Sequence, residues 1–139
     1  MAPWNYPLLT AVNSIVPALM AGNSVILKPS AQTPLCGEHF VRAFQLAGLP
    51  EHVLQCMFLK HKDTSTIINS AAVDFICFTG SVAAGQKIEK AAAGTFSGVG
   101  LELGGKDPAY VLADADFKHS VSELVDGAFF NSGQSCCGI

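Results

Sequence analysis

The chain is 139 residues long, half of them hydrophobic and 14% charged, with eight basic residues against eleven acidic ones for a net charge of −3. That length fits one ordinary domain burying about two-thirds of its unfolded surface, and so apolar a composition argues against disorder. No Lys/Arg cluster is present to meet a phosphate backbone, which argues against nucleic acid as a partner.

Pro7 to Ala21 reads as a helix with Gly22 as its C-terminal cap, and Pro17 inside it marks either a kink or a break. Ser24 to Lys28 is a short apolar run stopped by Pro29, as in a buried parallel strand. Thr33 offers an N-cap with Pro34 at the first helical position. The helix that follows runs to about Ala47, with Leu35, Phe40, Val41 and Phe44 as its apolar face, and stops at Gly48. Val53 to Phe58 is the next strand, and Asp63 caps a helix reaching about Ser70. Asp74 to Phe78 is a clear strand running into Thr79-Gly80-Ser81, followed by a helix from about Val82 to Ala92 and a strand near Val99 to Leu103.

Strands alternating with helices in this way imply an α/β fold: a Rossmann-like parallel sheet with flanking helices and right-handed crossovers. After Gly104-Gly105 the pattern changes. Pro108 to Leu112 is strand-like, Asp114 to Asp116 is an acidic helix start, and the helix continues to Phe130. The expected organisation is a partial dinucleotide-binding domain over residues 1–103 and the start of a second, catalytic α/β domain over 104–139.

A chain this apolar is expected to bury surface against further sequence or a partner subunit. The N-terminus has no basic stretch, and the apolar run from Leu8 to Ala21 is broken by Thr10, Asn13, Ser14 and Pro17, which argues against a signal peptide and against a membrane span. The five cysteines are odd in number and lack any CxxC spacing, so neither a metal site nor a disulfide framework is expected. Reduced thiols in a cytoplasmic compartment follow. The four histidines (His39, His52, His61, His119) have no ligand spacing.

Several positions carry chemistry. Gly80-Ser81-Val82-Ala83-Ala84-Gly85 sits where a strand meets a helix, and its N–H groups with the helix dipole can hold a pyrophosphate. The spacing is not GxGxxG, and such a turn also serves as a plain strand-to-helix connection. Lys28, at a strand's carboxyl end, can reach a ribose hydroxyl or phosphate, or simply face water. Glu102 lies in an apolar strand. Buried there, its pKa rises toward that of a general base; at the strand end it would face solvent. Cys136 follows Gly133-Gln134-Ser135 and is a nucleophile if its thiolate is stabilised. Cys137 is assigned to packing, as are Cys36, Cys56 and Cys77. Asn5 can donate its amide to a developing oxyanion or serve a turn.

Pro3-Trp4-Asn5-Tyr6-Pro7, Ala21-Gly22-Asn23-Ser24-Val25-Ile26-Leu27-Lys28-Pro29-Ser30, the strand Asp74 to Ser81, Leu101-Glu102-Leu103-Gly104-Gly105-Lys106 and Phe129 to Cys137 together resemble the aldehyde dehydrogenase superfamily from end to end. The resemblance implies Cys136 as nucleophile, Glu102 as general base, and Asn5 as oxyanion donor beside the Cys136 backbone N–H. It implies Lys28 and Ser30 at the adenosine ribose, Gly80, Ser81 and Gly85 at the pyrophosphate, and Trp4, Phe78 and Leu103 as cofactor walls. The implied reaction is NAD- or NADP-dependent oxidation of an aldehyde to a carboxylic acid through a thiohemiacetal and a thioester. The full-length form is expected to be a homo-oligomer.

Three departures accompany the resemblance. Ala31 stands where NAD-preferring relatives commonly carry a glutamate, which opens the ribose site to a 2′-phosphate. Phe58-Leu59-Lys60-His61 lacks the glycine that usually follows this strand. The chain also reads as a segment of the family's sequence, so the 139 residues alone are expected to be inactive or poorly folded. The competing readings are a CoA-acylating relative and a truncated product that binds nucleotide or a longer subunit without turnover.

Overall fold

A computed structural model describes residues 1–138 and divides the chain into two compact units, Met1–Leu103 and Gly104–Ile139. The first unit alternates helix and strand throughout: α1 (Pro7–Met20), β1 (Val25–Leu27), α2 (Pro34–Leu46), β2 (Leu54–Cys56), α3 (His61–Asn69), β3 (Phe75–Gly80), α4 (Val82–Ala92) and β4 (Gly98–Leu103). Its paired strands are parallel. β1 lies beside β2 with Val25 opposite Leu54, and β3 lies beside β4 with Phe75 opposite Gly98 and Gly80 opposite Leu103. The parallel sheet expected from the sequence is present as two separate two-stranded pairs.

Each pair has its own core. Ala11 and Ile15 of α1 pack with Leu27 and Leu54, supported by Phe40, Val41 and Phe44 of α2. Ile68 of α3, Ile76 of β3 and Ile88, Ala91 and Ala92 of α4 form the other. The rings of Phe40 and Phe44, one helical turn apart, stack at 5.3 Å.

α1 passes through Pro17 as one helix, and Gly22 takes the left-handed conformation (φ +83°) that closes it, its N–H bonding to Leu19 O. Three local expectations are corrected. Leu35 is 62% exposed rather than part of the α2 apolar face, because it lies about 140° around the helix axis from Phe40. Thr33 precedes α2 but makes no capping bond; its ψ of 51° lies outside the extended region, and its Oγ1 is buried without a partner. Asp63 is in the first turn of α3 and the N-cap position is Lys60, so the carboxylate acts on the helix dipole rather than as a cap.

In the second unit, Asp116 caps α5 (Phe117–Phe129), accepting from His119 N at 2.8 Å, and a 3-10 turn over Phe130–Gly133 follows. The strand expected over Pro108 to Leu112 is absent: those residues are exposed and find no partner strand among the described residues. No described residue from 104 to 138 is buried.

Candidate active site

The first two residues organise one edge of the first unit. The Met1 amino group donates to Cys77 O (2.7 Å), Thr79 N donates to Met1 O (3.3 Å), and Ala2 N donates to Lys28 O (3.1 Å). This short extended piece therefore sits between the end of β1 and the end of β3. It brings Lys28, Gly80 and Leu103 to the same carboxyl edge, where the chain leaves through Pro3 to Trp4 and Asn5. Parallel α/β folds bind ligands outside the carboxyl ends of their strands.

Side-chain space at that edge is set by glycine. The Phe78 ring covers Gly80, where a Cβ would come within 2.6 Å of Phe78 Cζ. Gly85, buried one turn into α4, accepts the Leu103 side chain, whose Cδ2 would lie 2.5 Å from a Cβ there. Ser81 caps α4 and its hydroxyl accepts from Ala84 N at 3.2 Å, which satisfies one of the helix's free donors and leaves others pointing off the N-terminus. Phe78, Gly80, Ser81, Gly85 and Leu103 are thus neighbours. A glycine-edged helix N-terminus of this kind suits a pyrophosphate.

Lys28 is half-buried, with Nζ donating to Pro29 O at 3.2 Å, and burial holds its pKa below the ordinary lysine value. Ser30 opens a turn in which Thr33 N donates to Ser30 O (3.1 Å) and Gln32 N to Ser30 Oγ (3.3 Å). Ala31, on that turn, is exposed. Trp4 is 45% exposed.

The three residues assigned to catalysis are divided between the units: Asn5 and Glu102 in the first, Cys136 in the second. Asn5 is half-buried in the turn before α1. Of the two readings of Glu102, the structure supports the exposed one. Leu101 and Leu103 turn inward, and strand alternation puts the carboxylate on the opposite side, facing out. Cys136 is half-buried, whereas Cys137, expected to pack, is exposed because the described residues of the second unit form no core.

Two contacts within the second unit hold the Cys136 loop, and neither is visible in the sequence. A Cβ on Gly105 would lie 2.5 Å from Cys136 O and 2.7 Å from its Cα, so the second glycine of Leu103-Gly104-Gly105-Lys106 is where the cysteine backbone rests. Asp107 Oδ2 accepts from Gly138 N at 2.6 Å, fixing the chain just past the cysteines. Before them, Asn131 and Ser132 adopt left-handed conformations (φ 49° and 59°), unusual for residues with side chains.

The model of the Aldehyde dehydrogenase family matches residues 1–139. Betaine aldehyde dehydrogenase of Bacillus subtilis is 40% identical over 140 residues, covering 98% of this chain and 28% of the relative. D-glyceraldehyde dehydrogenase (NADP(+)) of Picrophilus torridus is 39% identical, with 98% of this chain and 28% of the relative covered. Among solved structures, an aldehyde dehydrogenase from Bartonella henselae superposes with a TM-score of 0.91 at 37% identity, over 99% of this chain and 29% of that one. Betaine aldehyde dehydrogenase from Staphylococcus aureus in complex with NAD+ gives 0.91 at 36% identity, over 99% and 27%. The chain spans a little over a quarter of the length of the curated relatives it matches.

Proposed function

Because this chain belongs to the aldehyde dehydrogenase family, we propose that it supplies the dinucleotide-binding edge and the nucleophile for oxidation of an aldehyde to a carboxylic acid. The observation that carries the reading is the shared carboxyl edge of Lys28, Gly80 and Leu103, with the Ser81-capped N-terminus of α4 beside it. Lys28 and Ser30 hold the adenosine ribose, Gly80, Ser81 and Gly85 the pyrophosphate, and Trp4, Phe78 and Leu103 the walls. A bound nicotinamide ring supplies the hydride acceptor.

The chain's own residues do the rest. The Cys136 thiolate attacks the aldehyde carbonyl carbon to form a thiohemiacetal. Asn5 donates its amide N–H to the resulting oxyanion, a contact worth about 2.7–4 kcal/mol of barrier in comparable sites. After oxidation to the thioester, Glu102 takes a proton from water, whose oxygen displaces the Cys136 sulfur and releases the acid. An outward-facing carboxylate is accessible to that water. Water as the acyl acceptor distinguishes this route from transfer to coenzyme A, and product analysis for acid against acyl-CoA tests it.

The dinucleotide is NADP as readily as NAD. Ala31 is exposed and uncharged on the turn after Lys28, so no carboxylate opposes a 2′-phosphate. The NADP(+)-named relative and the 3,6-anhydro-L-galactose dehydrogenase structure in complex with NAP support this use. Titration with both reduced dinucleotides, followed by quenching of the Trp4 fluorescence, tests it. Tighter NAD than NADP binding refutes the NADP assignment, and absence of binding by either refutes the site.

A second reading is favoured by the distribution of buried residues. Both cores lie in Met1–Leu103, and no described residue beyond is buried. The 139 residues by themselves then bind dinucleotide, or a longer subunit, without turnover. Aldehyde-dependent formation of reduced nicotinamide by the purified chain rules this out.

A further inference from the structure

The second unit buries almost nothing, yet it partly withdraws one charge from water. Of residues 104–119, Asp107 alone is not exposed, while Tyr110, Val111 and Leu112 of the same segment face solvent. This reverses the usual order, in which a carboxylate stays in water unless it is paired. Asp107 Oδ2 accepts from Gly138 N at 2.6 Å, as short as a charge-assisted bond to a carboxylate is expected to be. Local chemistry presets that aim. Gly104 turns the chain in the left-handed region (φ +64°), and Pro108 confines the backbone of Asp107 to extended conformations.

Gly138 is seated from its other side as well, since a Cβ there would come within 2.6 Å of Gly127 O in the last turn of α5. The stretch around Cys136 therefore runs between α5 and the 104–108 segment, with Cys136 against Gly105 and Gly138 between Gly127 and Asp107. Close approach at a glycine supplies no attraction of its own; the bond from the carboxylate does. The Cys136 N–H donates to no group among the described residues. A donor that must stay open to an oxyanion cannot be anchored through its own hydrogen, so bonds made by its neighbours have to aim it.

We propose that Asp107 is a positioning residue for the nucleophile: by latching Gly138, it keeps the Cys136 backbone against Gly105 and the Cys136 N–H aimed at the developing oxyanion. The inference rests on the reading of Cys136 as the nucleophile. Asp107 acts through Gly138, two residues beyond the thiol, and takes no part in making or breaking bonds. A loop left free to swing would have to be reordered in every transition state, a cost that a donor fixed in advance avoids.

The test compares the 139-residue chain with its Asp107→Ala and Asp107→Asn variants, using two reagents resolved at Cys136 by peptide mass spectrometry. p-Nitrophenyl acetate acylates the thiolate through a tetrahedral oxyanion, which collapses to the thioester and expels p-nitrophenolate. Iodoacetamide alkylates the same sulfur by displacing iodide, and no oxyanion forms. Thiolate fraction and access enter both rates, so their ratio reports the aim of the N–H. Asp107→Ala should lower acylation relative to alkylation on the order of tenfold, and Asp107→Asn, whose amide oxygen still accepts from Gly138 N, should restore most of it. Hydrogen exchange at the Gly138 amide, followed by NMR, should quicken on the order of tenfold in Asp107→Ala and much less in Asp107→Asn. An unchanged ratio in Asp107→Ala, a loss that Asp107→Asn does not restore, or a Gly138 amide already unprotected in the unaltered chain overturns the proposal. Cys136 reacting no faster than Cys137 in the unaltered chain refutes the nucleophile assignment and with it the catalytic consequence, while the Gly138 amide still decides whether the latch exists.

Discussion

The Met1 amino group gives the fold a pH dependence that can be calculated. It is buried beside Cys77 and Lys28, and donates to Cys77 O at 2.7 Å. Burial lowers its pKa from 8.0 to about 6, Cys77 opposes the shift, and the Lys28 charge adds to it. In the unfolded chain the group keeps its ordinary value, so between pH 8 and about 6 the unfolded state binds more protons than the folded one. Stability therefore falls as pH drops through this window and is constant, for this group, above it. The gap of two decades in proton affinity, at about 1.4 kcal/mol per decade, amounts to about 3 kcal/mol, a large share of a typical domain's 5–15.

Urea unfolding followed by circular dichroism, at about pH 8.5 and about pH 5.5, should show the midpoint falling by about 1–3 M for a domain of this size. Acetylating Met1 removes the charge and leaves one N–H for Cys77 O. The two chains differ only at the Met1 nitrogen, so the difference between their pH curves isolates that group. Parallel pH curves for the free and acetylated chains would refute the reasoning.

Gly105→Ala forces a methyl group against the Cys136 backbone and should lower stability of the second unit by about 1–3 kcal/mol while altering the alkylation rate of Cys136, read by peptide mapping. Unaltered alkylation would mean the two segments do not touch in solution. Ser81→Ala removes the α4 cap and should cost about 1 kcal/mol by urea unfolding, whereas Ser81→Asp should retain most of it. Burial, and secondarily Glu38, pushes the Cys56 thiol above its usual pKa, so at neutral pH iodoacetamide should modify Cys56 more slowly than the exposed Cys137. Mass spectrometry of both peptides decides this, and faster labelling of Cys56 contradicts it.

Much of the first unit follows from local sequence. The periodicity of Pro7 to Ala21 and of Val82 to Ala92, the glycine stops at Gly22 and Gly48, and the apolar run of Asp74 to Phe78 place α1, α4 and β3 within a residue or two of their observed limits. These features rest on interactions along the chain: helix periodicity, glycine's access to positive φ, and proline's fit to the first helical turn. The glycine turn from Gly80 to Gly85 was legible as a strand-to-helix connection for the same reason; that Leu103 lies against Gly85 follows from the pairing of β3 with β4 and not from local pattern.

What the sequence could not decide are contacts between segments far apart. Pro108 to Leu112 has strand composition, but a strand exists only where a partner edge lies beside it, and none of the described residues supplies one. Glu102 faces outward because its leucine neighbours turn toward the core, and strand alternation allows no other direction. Gly105 is needed by the backbone of Cys136, thirty-one residues later, and Met1 ties together Lys28 and Cys77 through bonds that no local pattern announces. By itself the sequence determined the elements and the kinds of side chain that could react. Only the tertiary structure decided which edges were paired and where a buried charge fell, because both depend on long-range hydrogen bonding and burial.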